Sequence, residues 1–267
     1  MNHDATTHPA NPGGSANPGT WLLLRGLTRE TGHWGGFLTL LARRLAPAVV
    51  LAVDMPGTGA RWREASPMSI AAITDDLRRR VRAFQPPLRL LGLSMGGMVA
   101  LDWAARHPQE LAGALLVNTS VRPFGHLALR LRPPVWPALL QVLAGGDARR
   151  VESTILRCTS SRPAMHAPVL AEWAALRQQH PVSRANALRQ LVAAARFTAP
   201  ATRPGVPLRV LCAGQDALVD PACSRALANA WSLPLAQHPF AGHDLPLDAP
   251  DWVAAQAAAL DAALFQA

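Results

Sequence analysis

Short, wholly apolar runs alternate along this chain with longer segments in which apolar residues recur every three or four positions. The runs cover residues 21–24, 47–53, 88–93, 114–117 and 208–213, with a weaker one at 233–238. Most end in turn residues: Arg25-Gly26, Asp54-Met55-Pro56-Gly57, Asn118-Thr119-Ser120 and Gly214-Gln215-Asp216. Runs this short, so bounded, predict strands buried on both faces. Segments such as 70–84 and 95–107 have helical spacing. Strand alternating with helix predicts an α/β chain with a mostly parallel sheet of about six strands and helices on both faces.

The alternation breaks between residues 121 and 205. Four helical patterns stand there, at 135–143, 148–158, 169–179 and 185–197, punctuated by Pro and Gly. The predicted organisation is a flexible tail over 1–19, a core of 20–122 with 207–267, and a helical insertion over 123–206. The tail has neither a basic start nor an apolar centre, so it does not read as a secretory signal. No apolar run approaches the roughly 18 residues of a membrane span. Three cysteines (Cys158, Cys212, Cys223) form no CxxC pair and are expected as reduced thiols, in a cytoplasmic protein.

Composition narrows the function classes. The chain has 267 residues and a formal net charge of +9, all of its basic side chains being Arg. Without Lys a Walker A loop is excluded. With 49% hydrophobic residues a disordered polyelectrolyte is excluded too. The charge is segregated: the insertion has eleven arginines against Asp147, Glu152 and Glu172, while the rest is close to neutral. That pattern suits an acidic partner or an anionic substrate. Few aromatics interleave with these arginines, which argues against nucleic acid.

Gly92-Leu93-Ser94-Met95-Gly96 is a G-x-S-x-G motif between a buried strand and an apolar helix. A serine there sits on a sharp turn above the sheet, and the helix N-terminus favours a developing oxyanion. Such a nucleophile needs a base and an orienting acid, beyond the ends of later strands in the order Ser, Asp, His. Asp216 follows the fifth run and His243, in Gly242-His243-Asp244-Leu245-Pro246, follows the sixth. The other histidines lack that setting. Of the rival acids, Asp220 precedes Pro221 and reads as a helix cap, and Asp244 adjoins the base.

Together these residues resemble the α/β-hydrolase superfamily from about residue 20 to 265. Asp54-Met55-Pro56-Gly57-Thr58-Gly59 is similar to its D-x-P-G-x-G turn, and Leu24-Arg25-Gly26-Leu27 to its H-G-x loop. The resemblance implies an oxyanion hole from the Leu27 and Met95 backbone N–H groups. It also implies that the insertion is a lid, and that no metal or organic cofactor is needed. Arg25 stands where the family usually has His. There it either favours an anionic substrate or is structurally paired. Trp136 and Trp173 are candidate walls of an apolar substrate pocket. The polar start lacks the family's opening hairpin, which predicts the shortened sheet. Serine at the elbow implies ester or thioester cleavage through an acyl-serine, or carbon–carbon hydrolysis or perhydrolysis by the same residues. A non-catalytic binding protein using the basic insertion is the remaining alternative. The basic insertion is similar to that of the pimeloyl-carrier-protein methyl esterases, which implies a small-molecule ester or thioester, either free or carried on an acidic carrier protein.

Overall fold

The computed structural model describes residues 19–84 and 86–264. The tail expected over 1–19 lies, up to residue 18, outside the described residues. In chain order the core runs β1 (Thr20–Leu24), α1 (Gly36–Arg44), β2 (Val49–Val53), α2 (Ile70–Arg80), β3 (Leu88–Leu93), α3 (Met95–Arg106) and β4 (Leu111–Val117). The insertion follows as α4 (Leu127–Arg130), α5 (Trp136–Ala144), α6 (Ala148–Thr159), α7 (Val169–Gln179) and α8 (Arg184–Arg196). The core resumes with β5 (Leu208–Ala213), α9 (Pro221–Trp231), β6 (Leu235–His238), α10 (Leu245–Asp248) and α11 (Pro250–Leu264).

All six strands are parallel, in the order β2-β1-β3-β4-β5-β6. Alternate side chains leave opposite faces of each strand. Leu22 and Leu24 of β1 enter a core with α2, α3 and α9, whereas Trp21 and Leu23 enter a second core with α1 and α11. This two-sided burial is why the strands read as unbroken apolar runs. The order reverses between β1 and β3, and in such sheets ligands bind beyond the strand ends at that switch point.

The structure shifts several predicted bounds. β4 starts at Leu111, before the apolar run, because the strand continues through Gly113 with a shift of register at Ala112. β6 is trimmed at its start, and its edge position leaves none of its residues buried. Between β4 and β5 stand the four expected helices, the single turn of α4 and a 3-10 turn at Pro133–Val135, with one isolated bridge between Arg122 and Thr198. Asp147 and Ser183 cap α6 and α8 by accepting from Arg150 N (3.0 Å) and Asn186 N (3.1 Å). The insertion closes at its root, where Ala199 N donates to Arg122 O at 2.7 Å. Among the described residues no helix is long and apolar enough to cross a membrane.

Candidate active site

Ser94 sits between β3 and α3 at φ 57°, ψ −116°, a conformation rare for a side-chain-bearing residue. Its surroundings explain the glycines. A Cβ on Gly92 would lie 2.4 Å from Gly96 O, one on Gly96 2.2 Å from Leu24 O, and one on Gly97 1.8 Å from Thr119 Oγ1. The turn therefore closes only when all three positions lack a side chain, and the closure lifts Ser94 to the sheet's upper edge.

Asp216 and His243 come together across their 27-residue separation: the His243 Nδ1 lies 2.7 Å from Asp216 Oδ2. The second Asp216 oxygen accepts from Leu218 N (2.8 Å) and Val219 N (2.9 Å), which fixes the carboxylate. Both side chains are buried, Asp216 almost completely. Asn118, at the end of β4 with φ 46°, holds the histidine loop. Its amide donates to His243 O at 2.8 Å while its Oδ1 accepts from Ala213 N at 2.8 Å. The sequence showed this residue only as the strand's end. Asp220 is the cap of α9, as expected, accepting from Ala222 N.

Gly26 places the β1 loop against Ser94, since a Cβ there would lie 3.2 Å from the serine Cβ. Thr28, at φ 58°, donates its N–H to Gln190 Oε1 of α8 at 2.8 Å. Among the described residues the Leu27 and Met95 N–H groups donate to no other group. Asp54 steadies this loop by accepting from Thr31 N (2.7 Å) and Ala60 N (3.0 Å). A Cβ on Gly59 would strike that carboxylate, which accounts for the last glycine of the D-x-P-G-x-G turn.

Arg25 is buried and spoken for. Its guanidinium donates to both oxygens of Asp244, at 2.7 and 3.2 Å, and lies over the Trp34 ring. Burial alone raises the Asp244 carboxyl, but the charge and hydrogen bonds of Arg25 outweigh it and hold the pKa below the usual carboxylate value. Of the two roles open to Arg25 in the sequence, the structure shows the paired one. His33, close by, is pushed well below the ordinary imidazole value, chiefly by burial and further by Arg29 and Arg25. It therefore stays neutral.

Ser94, His243, Leu27 and Arg25 line one cavity between the sheet's upper edge and the insertion. Its wall is aliphatic, with Leu139, Val142 and Leu143 from α5, Ile155 from α6 and Leu191 from α8. The expected tryptophans are not in it. Trp173 is buried beneath Arg29, whose guanidinium lies 4.2 Å from the ring centroid, and edge-on to His33. Trp136 is 44% exposed and donates to Leu131 O, just past the end of α4. Apolar spacing had shown that these helices bury a face, but not what the face meets.

The alpha/beta hydrolase family matches this chain over residues 12–256. A pimeloyl-[acyl-carrier protein] methyl ester esterase of Chromobacterium violaceum is 36% identical over 107 residues, which are 40% of this chain and 38% of that one. The chain thus spans a little over a third of the length of that curated relative. Among solved structures, the enol-lactonase of Burkholderia xenovorans LB400 has a TM-score of 0.74 at 22% identity, covering 92% of each chain. A thermophilic esterase of Thermogutta terrifontis has a TM-score of 0.72 at 22% identity, covering 92% of this chain and 90% of that one. At these identities the structural likeness is one of fold. With the family match spanning nearly the whole described core, the chain belongs to the alpha/beta hydrolase family.

Proposed function

We propose that this protein is a serine hydrolase that cleaves a carboxylic ester or thioester through an acyl-Ser94 intermediate. The observation that carries this function is the 2.7 Å Asp216–His243 contact on the same cavity as a serine held at φ 57°. His243 takes the hydroxyl proton as Ser94 attacks the carbonyl, and Asp216 holds the imidazole's tautomer and stabilises its cation. The negative charge on the carbonyl oxygen falls to the Leu27 and Met95 N–H groups, which have no other partner among the described residues. The leaving alcohol or thiol receives the proton from His243. Water then enters, gives its proton to His243, and releases the acid.

The aliphatic wall suits an unbranched acyl chain, and the insertion roofs it as a lid. Eight of the insertion's eleven arginines are exposed, against two of its three carboxylates. That outward charge fits delivery of the acyl group on an acidic carrier protein, the kind of ester named for the Chromobacterium relative. The test is a chain-length series of 4-nitrophenyl esters and matching thioesters, on wild type and Ser94→Ala. Hydrolysis by wild type that rises with acyl length and vanishes in the variant is expected. Equal rates in both proteins would overturn the proposal.

A further inference from the structure

Three carboxylates outside the proposed Asp216–His243 pair have buried side chains, Asp244 among the residues that line the cavity, and each joins different elements. Asp244, next to His243, binds Arg25 of the β1 loop through both oxygens. Glu152 of α6, 1% exposed, accepts from Arg29 of that same β1 loop at 2.6 Å and from Arg177 of α7 at 2.6 Å. Asp248, the last residue of α10 with its side chain 1% exposed, accepts from Gly242 N of the histidine loop at 2.7 Å. It also accepts from Ser160 Oγ at 2.6 Å and from Ser161 N and Oγ at 2.9 Å each, just beyond the end of α6. Beside it Asp244 N donates to Thr159 O at 2.7 Å. The joints close on themselves: histidine loop to β1 loop through Asp244, β1 loop to α6 through Glu152, and α6 to histidine loop through Asp248.

Stability alone does not account for such a ring. Buried ion pairs roughly break even against well-packed apolar replacements, because desolvation offsets their attraction. What they supply is geometry: a carboxylate with both oxygens taken allows one arrangement of its partners. Arg29 shows how strained the charge balance is. Burial lowers its pKa and the neighbouring Arg25 lowers it further, while Glu152 counteracts both. Helix α6 touches the cavity only through Ile155, Cys158 and Thr159, and none of its charged groups lines it.

We infer that Glu152, Asp244 and Asp248 are positioning residues that lock α6, the β1 loop and the histidine loop into one body, so that α6 sets the distance between His243 and the Leu27 N–H. The inference rests on the serine-hydrolase function. Its consequence is that a carboxylate in the insertion, remote from the reacting atoms, governs kcat rather than substrate affinity. Displacements well under a side-chain length at such sites are enough, since a 1 Å misplacement costs on the order of 100-fold in rate.

The test uses the full chain in four forms: wild type, Glu152→Gln, the double variant Ser160→Ala/Ser161→Ala, and Glu172→Gln as a control at an exposed carboxylate of α7. Steady-state kinetics on 4-nitrophenyl butyrate, the rate of fluorophosphonate labelling and Tm are measured for each. Both ring variants are expected to lose about ten-fold or more in kcat and in labelling rate, with KM within about three-fold, while the control matches wild type. A loss confined to KM or to Tm, with kcat kept, overturns the inference. The serine variant removes only hydroxyls at the end of α6, so it remains informative if Glu152→Gln does not fold. Failure of wild type itself to label overturns the underlying serine-hydrolase function instead, and the two failures are thereby distinct.

Discussion

Ser94 is held in left-handed backbone by neighbours that have no room for a Cβ, and single substitutions there have calculable consequences. Gly96→Ala would drive a methyl to 2.2 Å from Leu24 O, which is backbone and has nowhere to go. It should cost about 1–3 kcal/mol in urea unfolding, as overpacking does; an unchanged midpoint would contradict the packing described. Asp216→Asn keeps the shape but offers the wrong tautomer, and kcat should fall by about 10⁴-fold. His33 bears on stability and pH. Its folded pKa lies well below 6.5, so between those values the unfolded chain binds a proton that the folded chain does not. Stability is therefore lost as pH falls below about 6.5. Tm measured from pH 7 to 5 should decline less steeply in His33→Gln than in wild type. Ser94, Asp216 and His243 were legible in the sequence because each sits in a local motif at a strand's end. Glu152, Asp248 and Asn118 were not, since each owes its place to a partner far along the chain: Arg29, 123 residues from Glu152; Ser161, 87 from Asp248; and His243, 125 from Asn118.

At the level of elements, the strands declared themselves because both faces of the sheet are covered, whereas the insertion's helices showed only that each has an apolar side. Their destinations depend on polar joints that periodicity does not report. Helix α8 is sewn to the core by Asn186, whose Oδ1 accepts from Ser66 N and whose amide donates to Glu64 O, and by Gln190 at the β1 loop. Helix α6 is held by Glu152 and by the contacts of its end with Asp248. Helix α5 differs. It has no buried residue, and it leads into Gly145-Gly146, both at positive φ. Local opening follows the scarcity of such buried contacts. Hydrogen exchange should therefore be faster in α5 than in α6 and α8, and equal protection of all three would contradict that division. The tryptophans belong to this scale as well: Trp173 packs on Arg29, a partner that no spacing rule could name.

Over the whole molecule, the net charge of +9 resolves into internal and external parts. Arg130 donates to Ala194 and Ala195 carbonyls, Arg132 to Asp216 O and Arg177 to Glu152, so these three serve the fold. The other eight are exposed on the insertion, and the rest of the chain is close to neutral. Screening shortens such a field to about 10 Å at 0.1 M salt. With an acyl-carrier ester kcat/KM should fall as salt is raised, while hydrolysis of a neutral ester should not; parallel salt responses would remove the acidic carrier from the account. The cysteines provide an independent check of the core. Cys212 and Cys223 are buried and pushed up to about 11 by that burial, so both should resist thiol reagents until the chain unfolds. The central claim, that Ser94 is an activated nucleophile, is tested most directly by intact-mass analysis of the folded protein after fluorophosphonate treatment, with peptide mapping of the adduct. One adduct per chain is expected, on Ser94, lost in His243→Ala. An unmodified folded chain, or an adduct elsewhere, would contradict it.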